Sequence, residues 1–213
     1  MEENVTQIVE NIMVAFTSDQ YLSPEEYLEF EKHSDIKHEY MHGEAYAMAG
    51  ATRAHNTVSL NLAIACRNHL GDSPCRTYMA DVKVRLSAGK KFFYPDLVVS
   101  CDDDDDLSLS YVTQPRVIIK VLSESTEGFD RGDKFKFYRT IPSLQEYILV
   151  STTHYSVDCF RRSEGKLWIL ESYQGQEATL KLQSLDLEIP LVDIYATVDL
   201  PEVEPEFPSE IDE

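Results

Sequence analysis

Residues 94–100 read YPDLVVS, and residues 116–122 read RVIIKVL. The second stretch is a short and almost continuous apolar run, which is typical of a central strand that is covered on both faces of a sheet. The proline of the first stretch disrupts a strand ladder and therefore predicts an edge or a bend at residues 94–96. Such a bend can turn the carboxylate of Asp96 out of the sheet, whereas Lys120 is a conspicuous charge inside the apolar run.

The patterns on either side of these stretches alternate between helix and strand. Ser23 and Glu26 form a capping box around Pro24, which marks the start of an N-terminal helix. The portion from residue 53 to residue 150 reads αβββαβ and mixes hairpins with one crossover, so we expect an α/β fold with a mixed sheet flanked by helices. The predicted segments are helices at about 23–33, 53–70 and 129–140, a hairpin at 36–48, strands at 77–86, 92–99, 116–122 and 146–150, and a C-terminal β meander near 156–161, 167–173 and 187–189.

The composition is that of an ordinary globular protein, with 43% hydrophobic and 27% charged residues in a chain of 213. We expect a single domain at residues 1–198 and a flexible acidic tail at residues 199–213. No stretch approaches the ~18 consecutive apolar residues of a membrane span, and the acidic N-terminus is unlike a secretory signal. A cytoplasmic location without a membrane partner is therefore expected.

The net charge of −19 bears on the class of partner. The run Asp102–Asp106 and the acidic tail carry much of this charge, and such runs are usually solvated. The affinity of a protein for phosphate groups comes mainly from Lys and Arg, so the composition counts against a tight, non-specific DNA binder.

The four cysteines, Cys66, Cys75, Cys101 and Cys159, lack the short spacings of a zinc site. A disulfide framework is not expected in a chain of this length. We therefore expect four reduced thiols, most of them buried.

Four stretches together resemble the bacterial Uma-type family of "putative restriction endonucleases". The resemblance covers roughly residues 21–195, and it implies the PD-(D/E)xK nuclease fold, that is, a restriction-endonuclease-like αβββαβ core preceded by a helix and a hairpin. Fold analogy does not by itself establish a function. The four stretches are KHEYMHGEAYAMAGATRAHN at residues 37–56, YPDLVVS at 94–100, RVIIKVLSEST at 116–126 and FDRGDKFKFYRTIPSLQEYILV at 129–150.

The resemblance also implies a set of site residues. In the superfamily, an Asp on one strand and a Glu on the next bind Mg²⁺ or Mn²⁺, because hydrolysis of a phosphodiester requires a hard cation, and a nearby Lys assists the attacking water. Asp96 matches the Asp, and Lys134 matches the Lys. At the position where the family pattern E-V-L-S has its Glu, this chain has Lys120. The remaining positions that match the family are Glu39 and Glu44 in the hairpin and His55 at the start of the next helix. We expect Glu39 or Glu44 to be a supporting acid, with Glu44 as the second metal ligand.

Two interpretations of Lys120 stay open at this point. In the first, Lys120 forms an ion pair with Asp96, and the site is dead or repurposed. In the second, another carboxylate completes a rearranged metal site. The carboxylates available for this are Glu39, Glu44, Glu124 and Asp130.

The leading functional hypothesis is a Mg²⁺-dependent endonuclease that hydrolyses DNA, with Lys120 casting doubt on its activity. The rival is an inactive nuclease-fold protein whose acidic surface binds a protein partner. Many members of the superfamily form dimers that cut both strands, and apolar residues of the C-terminal meander would offer one way to build a homodimer.

Each candidate residue also has a plain structural interpretation. Asp96 can be a turn residue beside a proline, and Lys134 can pair with Asp130 one helical turn earlier. Glu39 and Glu44 can face solvent on a hairpin. His55 can be a hydrogen-bonding residue at a helix start.

Overall fold

The computed structural model describes residues 21–86, 89–102 and 108–200. The predicted acidic tail lies almost wholly outside these residues, and so does most of the run Asp102–Asp106. No helix in the described ranges is both long enough and apolar enough to cross a membrane.

Strands and helices alternate along the described chain largely as the sequence indicates. The helices are α1 (Pro24–His33), α2 (Arg53–Leu70), α3 (Glu127–Phe129), α4 (Phe135–Tyr138) and α5 (Leu191–Ile194), with a π-helical turn at Asp130–Lys134 and a 3-10 turn at Gln183–Leu185. The strands are β1 (His38–Met41), β2 (Glu44–Ala47), β3 (Arg76–Met79), β4 (Lys83–Leu86), β5 (Lys91–Phe93), β6 (Leu97–Ser100), β7 (Tyr111–Val112), β8 (Pro115–Val121), β9 (Glu146–Val150), β10 (Ser156–Arg162), β11 (Trp168–Gln174), β12 (Thr179–Leu182) and β13 (Leu187–Pro190).

A six-stranded mixed sheet with the order β11-β10-β9-β8-β6-β3 forms the centre of the fold. Its neighbouring strands are antiparallel except for β8 and β9, which are parallel. A parallel pair needs a crossover, and the helical segment from α3 to α4 supplies it. The elements α2, β3, β6, β8, α3–α4 and β9 therefore form the αβββαβ core that the sequence predicts.

Both faces of this sheet are covered, which explains the continuous apolar run of β8. Val117, Ile119 and Val121 pack in a core with α2 and the β12–β13 hairpin. Ile118 points to the other face and packs in a second core with Tyr138 and residues of a second sheet. That second sheet has the order β2-β1-β5-β4-β7.

Two of the predicted strands each divide between the two sheets. The segment predicted as one strand at 77–86 forms β3 in one sheet and β4 in the other, and the segment predicted at 92–99 likewise forms β5 and β6. Ala80 takes a positive φ of 57° at the first break, and Pro95 lies at the second. Pro95 marks the second break as a bend, but periodicity alone does not reveal that the chain changes sheet at either break.

The expectation of four reduced thiols is wrong for two of them. Cys75 and Cys101 form a disulfide, whereas Cys66 and Cys159 are buried free thiols, as expected. Cys75 precedes β3, Cys101 follows β6, and Arg76 pairs with Ser100 in the ladder between these strands. The strand register therefore places the two cysteines opposite each other, although 26 residues separate them in sequence.

Candidate functional site

The bend at Tyr94-Pro95-Asp96 places the Asp96 carboxylate against the central strand. The backbone N–H of Asp96 donates to the carbonyl of Ile119 at 3.1 Å, and the backbone N–H of Val121 donates to Asp96 Oδ2 at 2.8 Å. The chain thus leaves the second sheet at β5, bends at the proline and enters the central sheet with Asp96 at the junction. The predicted bend at residues 94–96 is therefore observed, between the end of β5 at Phe93 and the start of β6 at Leu97.

Lys120 forms an ion pair with Asp96. Its Nζ lies 2.9 Å from Asp96 Oδ2, and the side chains of Lys120 and Asp96 are only 7% and 15% exposed. The other carboxylate oxygen, Oδ1, lies 3.3 Å from Nε2 of His55. His55 reaches this position because α2 begins at Arg53, with Thr52 capping its first turn. Both oxygens of Asp96 are therefore engaged by nitrogen atoms of the chain itself.

The charge state of Lys120 follows from two opposing effects. Burial alone lowers the pKa of this ammonium group, because a low-dielectric environment disfavours charge. The carboxylates of Asp96, Asp130 and Glu39 outweigh burial and raise the pKa of Lys120 above its ordinary value. Lys120 is therefore a fixed positive charge throughout the physiological pH range.

A second ion cluster lies beside the first, where the helical crossover packs on the hairpin. Lys134 Nζ lies 2.9 Å from Glu39 Oε1 and 3.0 Å from Asp130 Oδ1, and all three side chains are buried. The contact with Asp130 is an ion pair without the alignment of a hydrogen bond. The other oxygen of Asp130 accepts a hydrogen bond from Thr126 Oγ1 at 2.8 Å.

The π-helical turn at Asp130–Lys134 helps to create this second cluster. Such turns are rare and occur often at functional sites. The sequence predicts one regular helix at 129–140, whereas the crossover runs from α3 through the π turn to α4. Both Asp130 and Lys134 are buried within the turn.

Aromatic rings and a backbone amide complete the surroundings of the second cluster. The ammonium of Lys134 lies 5.5 Å from the ring centroid of Phe93 and 5.3 Å from that of Phe129, distances at which cation–π attraction is significant. The backbone N–H of Tyr94 donates to Glu39 Oε1 at 3.2 Å. This contact connects the second cluster to the bend that positions Asp96.

Five of the six candidate residues enter these two clusters. Asp96, Lys120 and His55 meet in the first, and Glu39 and Lys134 meet in the second. Glu44 is exposed on β2, where its carboxylate accepts a hydrogen bond from Tyr46. It shares the face of Glu39 but lies one step nearer the hairpin turn.

Asp130 and Thr126 have larger roles in the structure than the sequence indicates. From the sequence, Asp130 is one of four carboxylates that could complete a metal site, and it is a helical partner of Lys134. Thr126 belongs to the polar stretch that follows the central strand, where small polar residues commonly line sites, and it anchors the buried Asp130. The spacing of Asp130 and Lys134 along the crossover predicts their ion pair, and the structure has it.

The charges of the combined site do not fit a divalent cation. Among the described residues, no group of three or more His, Cys, Asp and Glu side chains is placed to hold a metal ion. Three carboxylates, those of Asp96, Glu39 and Asp130, face two ammonium groups. A Glu at position 120 would instead give four carboxylates facing one ammonium group. In this chain, Nζ of Lys120 is paired with Oδ2 of Asp96, and a hard cation would need that oxygen as a ligand.

Comparisons with known proteins give a consistent result. A family model described as "Uma2: Putative restriction endonuclease" matches residues 24–192. Two uncharacterized proteins of Synechocystis sp. are similar to the chain. One is 37% identical over 174 residues, covering 82% of this chain and 91% of the relative, and the other is 32% identical over 177 residues, covering 82% and 100%.

The fold also matches that of a crystal structure. This structure is described as a "putative nuclease belonging to DUF820" from Anabaena variabilis, and the TM-score is 0.64 at 13% identity, with 82% of this chain and 97% of the other covered. At this level of identity, the likeness concerns the fold alone.

Proposed function

The chain belongs to the Uma2 family, and from this premise we propose that it keeps the nuclease fold but has lost phosphodiester hydrolysis at the family site. On this proposal the protein works by binding rather than by cutting. The single observation that carries the proposal is the distance of 2.9 Å between Lys120 Nζ and Asp96 Oδ2.

An ammonium group can replace the charge of a metal ion but not its chemistry. Mg²⁺ binds oxygen ligands at about 2.0–2.1 Å, retains several waters and bridges phosphate oxygens, and a bound metal can activate a water as nucleophile. The ammonium group of Lys120 is buried and is already paired with Asp96, so it provides neither open coordination positions nor an activated water. The second ammonium, that of Lys134, is likewise occupied by Glu39 and Asp130.

The partner that best suits such a protein is another protein with a basic surface. With a net charge of −19, the chain would repel the phosphate backbone of DNA at long range. Complementary charge speeds association and favours partners of opposite sign. The proposed role is therefore an interaction module that uses an inherited nuclease scaffold.

The experiment that tests this proposal is cleavage of supercoiled plasmid DNA with Mg²⁺ or Mn²⁺. Four proteins are compared: the native chain, Lys120→Glu, Asp96→Ala, and the double variant. We expect no cleavage by the native chain or by Asp96→Ala, and cleavage by Lys120→Glu that the additional Asp96→Ala change abolishes. The double variant shows whether any activity gained arises at this site and not from a contaminating nuclease.

The second candidate function is a Mg²⁺-dependent DNA endonuclease with a rearranged site. The observation that favours it is the retention of Asp96, Glu39, Asp130 and Lys134 in one connected, largely buried network. This candidate requires Lys120 to leave Asp96 when substrate and metal bind. Cleavage by the native chain that is lost in Asp96→Ala would favour this candidate and refute the loss of hydrolysis.

A further inference from the structure

Strand β11 is one edge of the central sheet, and it carries an exposed apolar stretch. It pairs with β10 over seven residue pairs, and among the described residues no strand pairs with its outer side. Leu167, just before the strand, is 68% exposed, and Ile169 and Leu170 within it are 55% and 54% exposed. These three exposed apolar side chains fall within four consecutive residues.

Ile169 and Leu170 point to opposite faces of the sheet, because successive strand residues alternate. Side chains of β11 pack in the core on both faces, Trp168 on one and Tyr173 on the other, whereas Ile169 and Leu170 stay exposed. On its face, Trp168 packs in the core against Phe135. Residues on both faces of the edge are thus left open, which is the environment of a strand that has a missing neighbour.

Edge strands normally carry features that prevent pairing with another chain, such as prolines, lysines or a short length. The opposite edge, β3, has such features: it is four residues long, carries Arg76 and is closed by the Cys75–Cys101 disulfide. Strand β11 is seven residues long and contains no proline, lysine or glycine. By this criterion β11 is open to pairing, and β3 is not.

Local charge favours a second copy of the same chain as the partner, despite the large net charge. The only charged residue of β11 is Glu171, and its carboxylate lies 2.6 Å from Arg161 Nη1 on the neighbouring strand. The edge is therefore close to neutral, and two copies can meet there without placing unpaired carboxylates opposite each other. An antiparallel edge is also complementary to itself about a two-fold axis, because each copy offers the same row of donors and acceptors.

We propose that β11 pairs with the partner's β11 in an antiparallel homodimer, with the two-fold axis at Ile169. This register places Ile169 opposite the partner's Ile169 and Trp168 opposite the partner's Leu170. Leu167 then lies opposite the partner's Glu171. The exposed apolar stretch of each copy meets that of the other, and the two six-stranded sheets join into one continuous sheet across the axis.

The test measures the mass of the full chain in solution by sedimentation and by light scattering over a range of concentrations. The edge variant combines Ile169→Lys with Leu170→Lys, which places like charges opposite each other across the axis. The matched control combines Leu60→Lys with Ile64→Lys, which changes two residues of α2 that are similarly exposed, at 46% and 49%. We expect the mass of two chains for the native protein and the control, and of one chain for the edge variant.

Hydrogen exchange of the β11 amides that point away from β10 provides a second measurement that does not depend on a variant. In the native protein these amides should become less protected on dilution, in step with the loss of the two-chain mass. A native protein with the mass of one chain at every concentration would overturn the proposal. So would an edge variant that keeps the mass of two chains. Protection of these outward-facing amides at the mass of one chain would show that a segment of the same chain covers the edge, which also excludes the proposed dimer.

Discussion

Replacing Asp96 by alanine should destabilise the protein by about 3–5 kcal/mol, because removing one partner of a buried ion pair leaves the other charge uncompensated. The remaining partner is Lys120, whose side chain is only 7% exposed. The change also removes the acceptor of the Val121 amide, and an orphaned buried donor costs about 1–3 kcal/mol. Asp130 and Glu39 still favour the charged form of Lys120, so the total should lie near the lower end of the range.

A double-mutant cycle separates the ion pair from simple loss of packing. Replacing both partners of a buried ion pair with apolar residues is often neutral or stabilising. The double variant Asp96→Ala, Lys120→Met should therefore recover at least ~2 kcal/mol relative to Asp96→Ala alone. The assay is urea unfolding followed by circular dichroism, with the midpoint and the slope compared among the native chain, the single variants and the double variant.

Asp133→Ala is a matched control for this cycle. Asp133 also forms an ion pair, with Lys136 at 2.7 Å, but the two side chains are 56% and 64% exposed. Exposed pairs contribute about 0–1 kcal/mol, so this variant should change stability little. The reasoning would be refuted if Asp96→Ala and Asp133→Ala had equal effects, or if the effects of Asp96→Ala and Lys120→Met were simply additive.

Three further predictions concern residues around the site and the core. Tyr138→Phe should keep or raise the free energy of unfolding, by up to ~1 kcal/mol, because it removes a buried hydroxyl that has no hydrogen-bond partner among the described residues. A loss of ~2 kcal/mol or more on urea unfolding would contradict this. Cys75→Ser should lower stability by about 3 kcal/mol without reductant, on the chain-entropy model for a loop of this length, and should have little effect with reductant; equal loss in both conditions would contradict a role for the disulfide. Burial raises the pKa of the Cys66 thiol from 9.0 to about 12. The contribution of the protonated thiol to stability is therefore complete below pH 9 and is lost as the pH rises towards 12. The slope is at most ~1.4 kcal/mol per pH unit. Unfolding curves measured from pH 8 to the highest pH at which the fold persists should therefore fall less steeply for Cys66→Val than for the native chain, and parallel curves would argue against the assignment.

The sequence predicts the helices and strands of this fold better than it predicts which of them lie next to each other. The apolar run at residues 116–122 and the capping box at Ser23 are local signals, and both have the predicted structure. Pro95 predicts the bend in the second of the two strands that divide between the sheets, but no local pattern shows that the chain passes from one sheet to the other, either there or at Ala80. The disulfide depends on the register between β3 and β6, which is a long-range property.

The candidate site follows the same division. The resemblance selects Asp96, Lys120, Lys134, Glu39 and His55, and the fold brings them into two adjoining ion clusters. The pairs of Lys120 with Asp96 and of Lys134 with Asp130 are both among the interpretations that the sequence offers, and both are observed. The contact between Lys134 and Glu39 could not be predicted, because it depends on the π-helical turn and on how the hairpin packs against the crossover. Neither feature has a signal in a single sequence.

The most direct test of the central claim is the effect of Mg²⁺ on the thermal unfolding of the native chain and of Lys120→Glu. A ligand that binds only the folded state at a concentration of 100 times its Kd stabilises that state by about 2.7 kcal/mol. If Lys120 occupies the position of the metal ion, Mg²⁺ will leave the melting temperature of the native chain unchanged. Lys120→Glu, which places a second carboxylate beside Asp96, should be less stable without Mg²⁺ and should be stabilised by it. A Mg²⁺-dependent rise in the melting temperature of the native chain that disappears in Asp96→Ala would contradict the account.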